Sequence, residues 1–263
     1  MNHSEYQGSR VVVTGSSSGI GRALSDALVH RGAEVHGAAL TGSGEGLASF
    51  TALDLADPSS IDAAVAGIGG HVDALFNCAG ATPIADPEHV VAVNFLGTRL
   101  LTEQVLSLMS SGGAVVSVSS NGGFGWRRRQ AFIREFVEVP TFADGLAWFQ
   151  ERREEAGHPY RFAKEALTVW TMMQSAQLIR QGLRMNVVSP GAVRTPMLEA
   201  ADAVTPRKRS EAVLQPIGRS SSPEEQVGAL LFLNSDAASY VNGVDLPVDG
   251  GYWAARSMAG DLH

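Results

Sequence analysis

The sequence has one cysteine, few basic residues and no long apolar run, and each shortage excludes a class of protein. Cys78 stands alone among 263 residues, which rules out an internal disulfide framework and indicates a reducing compartment. No segment approaches the roughly 20 apolar residues of a transmembrane helix, and the polar stretch Met1 to Arg10 lacks the apolar core of a signal peptide. The formal net charge of −7 gives no electrostatic reason to bind nucleic acid. We therefore expect a cytoplasmic protein that binds neither a membrane nor a nucleic acid.

Apolar residues, by contrast, are abundant enough for a large core, and they fall into alternating strands and helices. Hydrophobic residues make up 44% of the chain and charged residues 18%, which argues against disorder. The alternation predicts parallel βαβ units and hence an α/β, doubly wound Rossmann fold, with three layers around a mostly parallel seven-stranded sheet. We expect one domain over residues 1–263, with a helical insertion at 124–159 and a substrate flap at 196–222. The predicted strands are Val11–Val13, Glu34–Leu40, Phe50–Leu53, Val72–Asn77, Ala114–Val118, Met185–Val188 and Gly243–Val248.

The first strand breaks into a glycine-rich turn that a helix follows. Gly15, Gly19 and Gly21 occupy this turn, and the helix runs from about Arg22 to His30. Glycine lets the backbone turn sharply and lets a ligand approach main-chain N–H groups. The positive end of the helix dipole suits a pyrophosphate. An ordinary strand–helix turn is the alternative, but the strand–turn–helix context favours phosphate binding.

Polar residues stand at the carboxyl ends of the predicted strands, where parallel sheets place their ligands. Thr14, Asp54, Asn77 and Ser120 all occupy such positions. Asn94 lies near the apolar face of a helix predicted from about Glu88 to Met109. It is either a core amide with internal hydrogen bonds or part of the site.

The segment 124–159 lies between the fifth strand and the next helix, and it is rich in aromatic and charged residues. Its pattern predicts two short helices beside the ligand-binding edge. Packing within the insertion or against another subunit is as well supported as a role in lining a substrate pocket. The aromatic residues are Phe124, Trp126, Phe132, Phe136, Phe142, Trp148 and Phe149.

Tyr160 and Lys164 open a long helix that continues to about Gln181, and their spacing places them on one helix face. Reduction of a carbonyl needs a proton donor at the oxygen while hydride reaches the carbon. A free tyrosine has a pKa of about 10, and a nearby ammonium favours its phenolate form. The Ser120 hydroxyl could hold the substrate oxygen.

Taken in order, these motifs resemble the short-chain dehydrogenase/reductase family over essentially the whole chain. They include the glycine turn from Thr14 to Gly21, Asn77-Cys78-Ala79-Gly80, Asn94, Ser120, Tyr160 with Lys164, Pro190-Gly191 and Asp249-Gly250-Gly251. The long insertion and the segment Ala237 to Gly243 resemble the branch that contains bacterial 3α-hydroxysteroid dehydrogenase/carbonyl reductase.

The resemblance implies a role for each motif. Tyr160 would be the general acid/base, and Ser120, with Ser119 as the adjacent alternative, would hold the carbonyl. Lys164 would bind the nicotinamide ribose and tune Tyr160, and Asn94 would anchor a water in a proton relay. No metal site is predicted. The implied cofactor contacts are Gly15, Ser17, Ser18, Gly19, Ile20, Gly21, Asp54, Leu55, Asn77, Ala79, Gly80, Tyr160, Lys164, Pro190, Gly191, Val193 and Thr195.

The choice between NAD(H) and NADP(H) depends on the end of the second strand. Ala39 stands where NAD-using relatives carry an acid, and no basic residue occurs at Ser17, Ser18, Leu40 or Thr41. Because a 2′-phosphate is hard to hold without a cation, the sequence leans slightly to NAD(H).

The resemblance thus implies an oxidoreductase that transfers hydride between a nicotinamide cofactor and a secondary alcohol or ketone. The aromatic insertion and Met197-Leu198 favour a bulky, cyclic, steroid-like or other alicyclic or aromatic substrate. The alternatives are a non-catalytic nicotinamide-nucleotide-binding sensor on the same fold and an isomerase or dehydratase, for which the chain is short. We expect a homodimer or homotetramer.

Overall fold

The computed structural model describes residues 6–42, 44–204 and 215–260, which surround a parallel sheet of seven strands. The strands lie in the order β3-β2-β1-β4-β5-β6-β7. The fully parallel sheet confirms the predicted doubly wound fold, and Val72–Asn77 has the predicted bounds. The strands are β1 Arg10–Thr14, β2 Glu34–Ala39, β3 Ser49–Ala52, β4 Val72–Asn77, β5 Met109–Val118, β6 Arg184–Pro190 and β7 Asp245–Val248.

Helices cover both faces of this sheet. Because side chains alternate along a strand, Val12, Leu75 and Val115 enter one apolar cluster while Val11, Phe76 and Val116 enter the other. Within the described ranges, no helix combines the length and the apolar character needed to cross a membrane. The α-helices are α1 Gly19–Val29, α2 Pro58–Ile68, α3 Pro87–Val91, α4 Thr98–Leu106, α5 Gln130–Val137, α6 Phe142–Glu151, α7 Arg153–Ala156, α8 Pro159–Leu178, α9 Pro196–Val204, α10 Glu224–Asn234 and α11 Tyr252–Met258.

The helix predicted from Glu88 to Met109 is broken in the structure. A π-helical segment, Ala92–Gly97, separates α3 from α4, and Met109 already belongs to β5. The Asn94 amide donates to the carbonyls of Val90, at 2.9 Å, and Ala81, at 3.1 Å. A side chain that bonds the preceding turn in this way competes with regular helical bonding, and π-bulges often occur at functional positions.

The insertion is more helical than predicted and packs its aromatic rings against α8. A 3₁₀ segment, Asn121–Arg129, precedes α5, α6 and α7. Phe136, Phe149 and Phe162 have no exposed surface, and the ring centroids of Phe136 and Phe162 are 4.8 Å apart. Phe136 and Phe149 therefore have a packing role, which is one of the two alternatives predicted for the aromatic residues. In the predicted flap, 196–204 form α9, whereas 205–214 lie outside the described residues.

The strand order creates a crevice at one end of the sheet. β1 pairs with β2 on one side and with β4 on the other, with Thr14 opposite Ala38 and Asn77. The chain connections run in opposite directions from this point, and ligands of open α/β sheets bind beside such a reversal. The carboxyl ends of β1 and β4 therefore border the candidate site.

Candidate active site

The turn after β1 has a backbone that only glycine fits. Gly15 has φ +68°, and an alanine Cβ there would lie 2.8 Å from the Ala79 Cα. At Gly21, an added Cβ would lie 2.3 Å from the Gly15 carbonyl oxygen. The Thr14 hydroxyl accepts hydrogen bonds from the N–H groups of Cys78 and Ala79, both at 3.1 Å. These contacts fasten the glycine turn to the end of β4.

The N-terminus of α1 offers an anion site beside this turn. Ser18 is the N-cap residue, and within the described part of the chain its side chain makes no capping bond. The first N–H groups of a helix lack partners inside the helix, so a phosphate can accept from them. The Thr195 methyl lies 3.0 Å from the position of a Cβ at Gly19, which brings the start of α9 to the same turn. These features fit the pyrophosphate of a dinucleotide.

Ser120 and Tyr160 border one small space at Gly122. A Cβ added to Gly122 would lie 3.4 Å from the Ser120 Oγ and 3.6 Å from the Tyr160 Cε1. The Ser120 Oγ accepts from the Gly122 N–H at 3.1 Å. Ser119, by contrast, is buried, and its hydroxyl bonds the Lys164 carbonyl and Thr168 on α8. Of the two serines, Ser120 is therefore better placed to meet a substrate.

Lys164 is buried beneath these two residues and remains close to Tyr160. Its Nζ donates to the Val118 carbonyl at 2.8 Å and lies 5.8 Å from the centre of the Tyr160 ring. Burial lowers the pKa of Lys164 to about 8, against the opposing effect of Cys78. The ammonium therefore persists at neutral pH, and it favours negative charge on the neighbouring phenol.

Asn94 presents an acceptor to the same interior space. Its Oδ1 is buried and lacks a hydrogen-bond partner among the residues that the structure describes. A Cβ added to Gly80 would lie 2.8 Å from this oxygen and 3.8 Å from the Lys164 Nζ. Two polar groups that face one gap suit a bridging water.

The other residues predicted to contact the cofactor differ from one another in burial and in hydrogen bonding. Asp54 is half-buried and accepts from the Ala56 N–H at 2.8 Å, whereas Leu55 lies in the larger apolar cluster. The Asn77 amide is turned inward and donates to Thr102 and Ser117 at 2.9 and 3.1 Å. Pro190 ends β6 and pairs with Val248, and Gly191 and Val193 follow the strand, with Val193 paired to Ser221.

The sequence did not predict a role for three charged residues that contact α8 or β6, the elements that carry predicted site residues. Arg129 and Glu165 form an ion pair at 2.9 Å, and Asp245 accepts from the Ser189 hydroxyl at 2.5 Å. In the sequence, Arg129 is the last residue of the basic run Arg127-Arg128-Arg129, and Glu165 is the residue after Lys164. No local pattern indicates that they meet.

Known proteins resemble this chain over nearly its whole length. A family model described as short chain dehydrogenase matches residues 9–131, and one described as enoyl-(acyl carrier protein) reductase matches residues 148–253. Coniferyl-alcohol dehydrogenase of Pseudomonas sp. strain HR199 is 36% identical over 92% of this chain and 95% of its own. The 3-alpha-hydroxysteroid dehydrogenase/carbonyl reductase of Comamonas testosteroni is 29% identical over 92% and 95%. The crystal structure of 3-alpha-hydroxysteroid dehydrogenase from Pseudomonas sp. B-0831, complexed with NADH, has a TM-score of 0.79 and 32% identity, covering 96% of this chain and 99% of that one.

Fold and site together define an oxidoreductase that uses a nicotinamide cofactor and acts on alcohols or ketones. The chain belongs to the short-chain dehydrogenase/reductase family. Its relatives include the 3α-hydroxysteroid dehydrogenase branch, which confirms the resemblance seen in the sequence.

Proposed function

We propose that Ser120, Tyr160, Lys164 and Asn94 form the catalytic set. The observation that carries this proposal is the shared space at Gly122, which the Ser120 hydroxyl and the Tyr160 ring both border. The Ser120 hydroxyl holds the carbonyl oxygen, and the Tyr160 phenol donates its proton to that oxygen. The cofactor, when bound, supplies the hydride that reaches the carbonyl carbon.

Lys164 and Asn94 support the proton transfer from the other side of Tyr160. The buried ammonium of Lys164 stabilises the phenolate that remains after the proton has left. The Asn94 Oδ1, which has no hydrogen-bond partner among the described residues, holds a water near Lys164, through which a proton returns to Tyr160. In alcohol oxidation the same groups act in reverse, with Tyr160 as the base.

The proposed cofactor contacts follow the crevice. The residues after β1 and at the start of α1 bind the pyrophosphate, and Asp54 lies toward the adenine. Ala79, Gly80 and the residues after β6 lie toward the nicotinamide. NAD(H) remains the favoured cofactor, because Leu40, 68% exposed at the end of β2, offers no charge to a 2′-phosphate.

We also propose a bulky, cyclic alcohol or ketone as the substrate. Support comes from the steroid named for two of the relatives and from Met197-Leu198, which α9 carries next to the crevice. An added Cβ at Gly80 would lie 3.8 Å from the Met197 methyl, so this apolar side chain approaches the site.

The proposed assembly is a homodimer or homotetramer. The insertion packs Phe132, Phe136, Trp148 and Phe149 against Phe162 of α8, which is fully buried in one chain. A partner chain would therefore contact another surface than this one. Light scattering should give two or four times the mass of the monomer, and a monomer at micromolar concentration would contradict the proposal.

Steady-state kinetics with a panel of cyclic and small polar ketones, each with NADH and with NADPH, tests the proposed function. We expect turnover of cyclic ketones with NADH, and a loss of 10²- to 10⁴-fold in Tyr160→Phe, the usual size of a proton-transfer contribution. Tyr160→Phe should still bind NADH. Undiminished turnover in this variant would overturn the catalytic set, and a preference for small polar ketones would overturn the substrate class.

A further inference from the structure

Arg129 and Glu165 form a partly buried ion pair between the insertion and α8, to which the proposed reaction gives no role. The Arg129 Nε and the Glu165 Oε2 are 2.9 Å apart, and the Glu165 side chain is only 8% exposed. Burial raises the pKa of Glu165, and the Arg129 guanidinium opposes that effect. A carboxylate so placed is costly without its partner, so loss of Arg129 would leave an uncompensated charge beside α8.

The Arg129 guanidinium also binds the chain just before α8. Its two Nη atoms donate to the carbonyls of Glu155, at 3.2 Å, and Ala156, at 2.8 Å, which end α7. The rings of Phe132 and Phe162 lie 5.5 and 5.3 Å from the guanidinium carbon. A planar fork held by this many partners has one orientation. Arg129 therefore contacts residues on both sides of Tyr160 in the sequence: the end of α7 precedes it, and Phe162 and Glu165 of α8 follow it.

Glu165 in turn lies directly against the 3₁₀ segment Asn121–Arg129. A Cβ added to Gly125 would lie 2.7 Å from the Glu165 Oε1, and one added to Gly123 would lie 3.1 Å from the Lys164 carbonyl. This segment begins immediately after Ser120 and ends at Arg129. The ion pair thus fixes the far end of the segment that directly follows Ser120, the residue with the proposed substrate-binding hydroxyl.

We propose that Arg129 and Glu165 are positioning residues that set the separation of the Ser120 hydroxyl and the Tyr160 phenol, an inference that rests on the catalytic roles proposed above. Ser120 and Tyr160 reach the site from two segments that the insertion separates along the chain. Ser119 and Gly123 also contact Lys164, at the end of the 3₁₀ segment nearest to Ser120, whereas the ion pair joins the two segments at the far end. Loss of the pair therefore frees the far end and lets the segment after Ser120 shift against α8. A misplacement of about 1 Å at a reacting centre costs roughly 10²-fold in rate.

Glu165→Gln and Arg129→Lys test this inference with little change of shape. The first removes the negative charge, and the second keeps the positive charge but loses the fork. The matched control is the exposed pair Arg134–Glu138 on α5, at 3.1 Å, changed to Arg134→Lys and Glu138→Gln. We expect kcat for a cyclic ketone to fall at least tenfold in each test variant, with the Kd for NADH within twofold of wild type. Control variants should keep kcat within twofold.

The double variant Glu165→Gln/Arg129→Lys separates positioning from general loss of stability. Because the two residues act as a unit, we expect the double variant to lose no more kcat than the worse single variant. Amide hydrogen exchange should quicken in residues 121–129 of all three variants while α1 is unchanged. This readout needs no turnover, so it stays informative if the wild-type protein reduces no ketone, a result that would contradict only the proposed function. Unchanged kcat, unchanged exchange in 121–129, or losses that add in the double variant would overturn the inference.

Discussion

Lys164 is a residue whose charge serves the proposed chemistry at a cost in stability. Burial places its folded-state pKa at about 8, below the ordinary value of 10.5. Between these two values the unfolded chain binds more protons, so the free energy of unfolding rises with pH in this window. Below pH 8 the full cost remains, on the order of 3 kcal/mol by the conversion of 1.36 kcal/mol per pKa unit.

Replacement of Lys164 by methionine should therefore separate activity from stability. Lys164→Met removes the buried charge but leaves the Val118 carbonyl without its donor, a loss of about 1–3 kcal/mol. We expect kcat to fall at least 10²-fold while the melting temperature at pH 7 stays equal to wild type or rises by a few degrees. Calorimetry beside ketone-reduction kinetics checks both, and a melting temperature more than about 5 °C below wild type would contradict the reasoning.

Asp245 is a half-buried carboxylate that lies outside the proposed catalytic set. Burial raises its pKa to about 6, which the hydrogen bond from Ser189 and the charge of Arg127 only partly oppose. The folded chain binds more protons than the unfolded chain between the ordinary value of 3.8 and about 6, so stability falls as the pH rises through this window. Above pH 6 the ionised Asp245 lowers the free energy of unfolding by its full amount.

Asp245→Asn should consequently stabilise the protein at high pH only. The amide still accepts from the Ser189 hydroxyl, and the negative charge is gone. We expect the melting temperature to rise by about 5 °C at pH 7.5 and to change little at pH 4. Asp62→Asn, at an exposed position on α2, is the matched control. An equal gain at both pH values would show that charge is not the cause.

Among the secondary-structure elements, α4 contributes an arginine that binds the insertion. Arg99 is 5% exposed, and its guanidinium donates to the carbonyls of Val137, Val139 and Pro140 at the end of α5. The Val137 carbonyl lies in the last turn of α5 and the other two follow it, so none of them has a partner within the helix. Arg99 therefore fixes the connection between α5 and α6.

Loss of this arginine should loosen the insertion selectively. Arg99→Met leaves buried carbonyls without donors, at about 1–3 kcal/mol each when unsatisfied. We expect faster amide exchange across 130–151, unchanged exchange in β1, β4 and β5, and a melting temperature several degrees lower. Arg134→Met, at an exposed position on α5, should change neither the amide exchange across 130–151 nor the melting temperature. Exchange across 130–151 that matches wild type would show that Arg99 does not hold the insertion.

The elements that the sequence predicts well are those with a local signal. β4 is predicted from its run of apolar residues, and the glycine turn from the backbone freedom of glycine. The fold is predicted from the alternation of strands and helices along the chain. The break at Ala92–Gly97 depends on where the Asn94 amide finds partners, which tertiary packing decides. The meeting of Arg129 with Glu165 spans the insertion, so no local pattern could indicate it.

For the whole molecule, the strand order brings the two parts of the proposed site to one crevice. β1 and the start of α1 border the glycine turn proposed to bind phosphate, while Ser120 follows β5 and α8 carries Tyr160 and Lys164. Thr14 fastens the glycine turn to the end of β4, the strand between β1 and β5, through its bonds to Cys78 and Ala79. A dinucleotide that lies along this crevice would bring its reactive end to Tyr160.

Single-turnover transfer of deuterium tests the central claim most directly. Wild-type protein and Tyr160→Phe are each mixed with NADH deuterated at the transferable C4 position and with a cyclic ketone, and the alcohol is followed by mass spectrometry. We expect one deuterium at the carbinol carbon within a single turnover of wild type, and a rate at least 10²-fold lower in Tyr160→Phe despite equal NADH binding. Equal rates of transfer in the two proteins would contradict the assignment of Tyr160 as the proton donor.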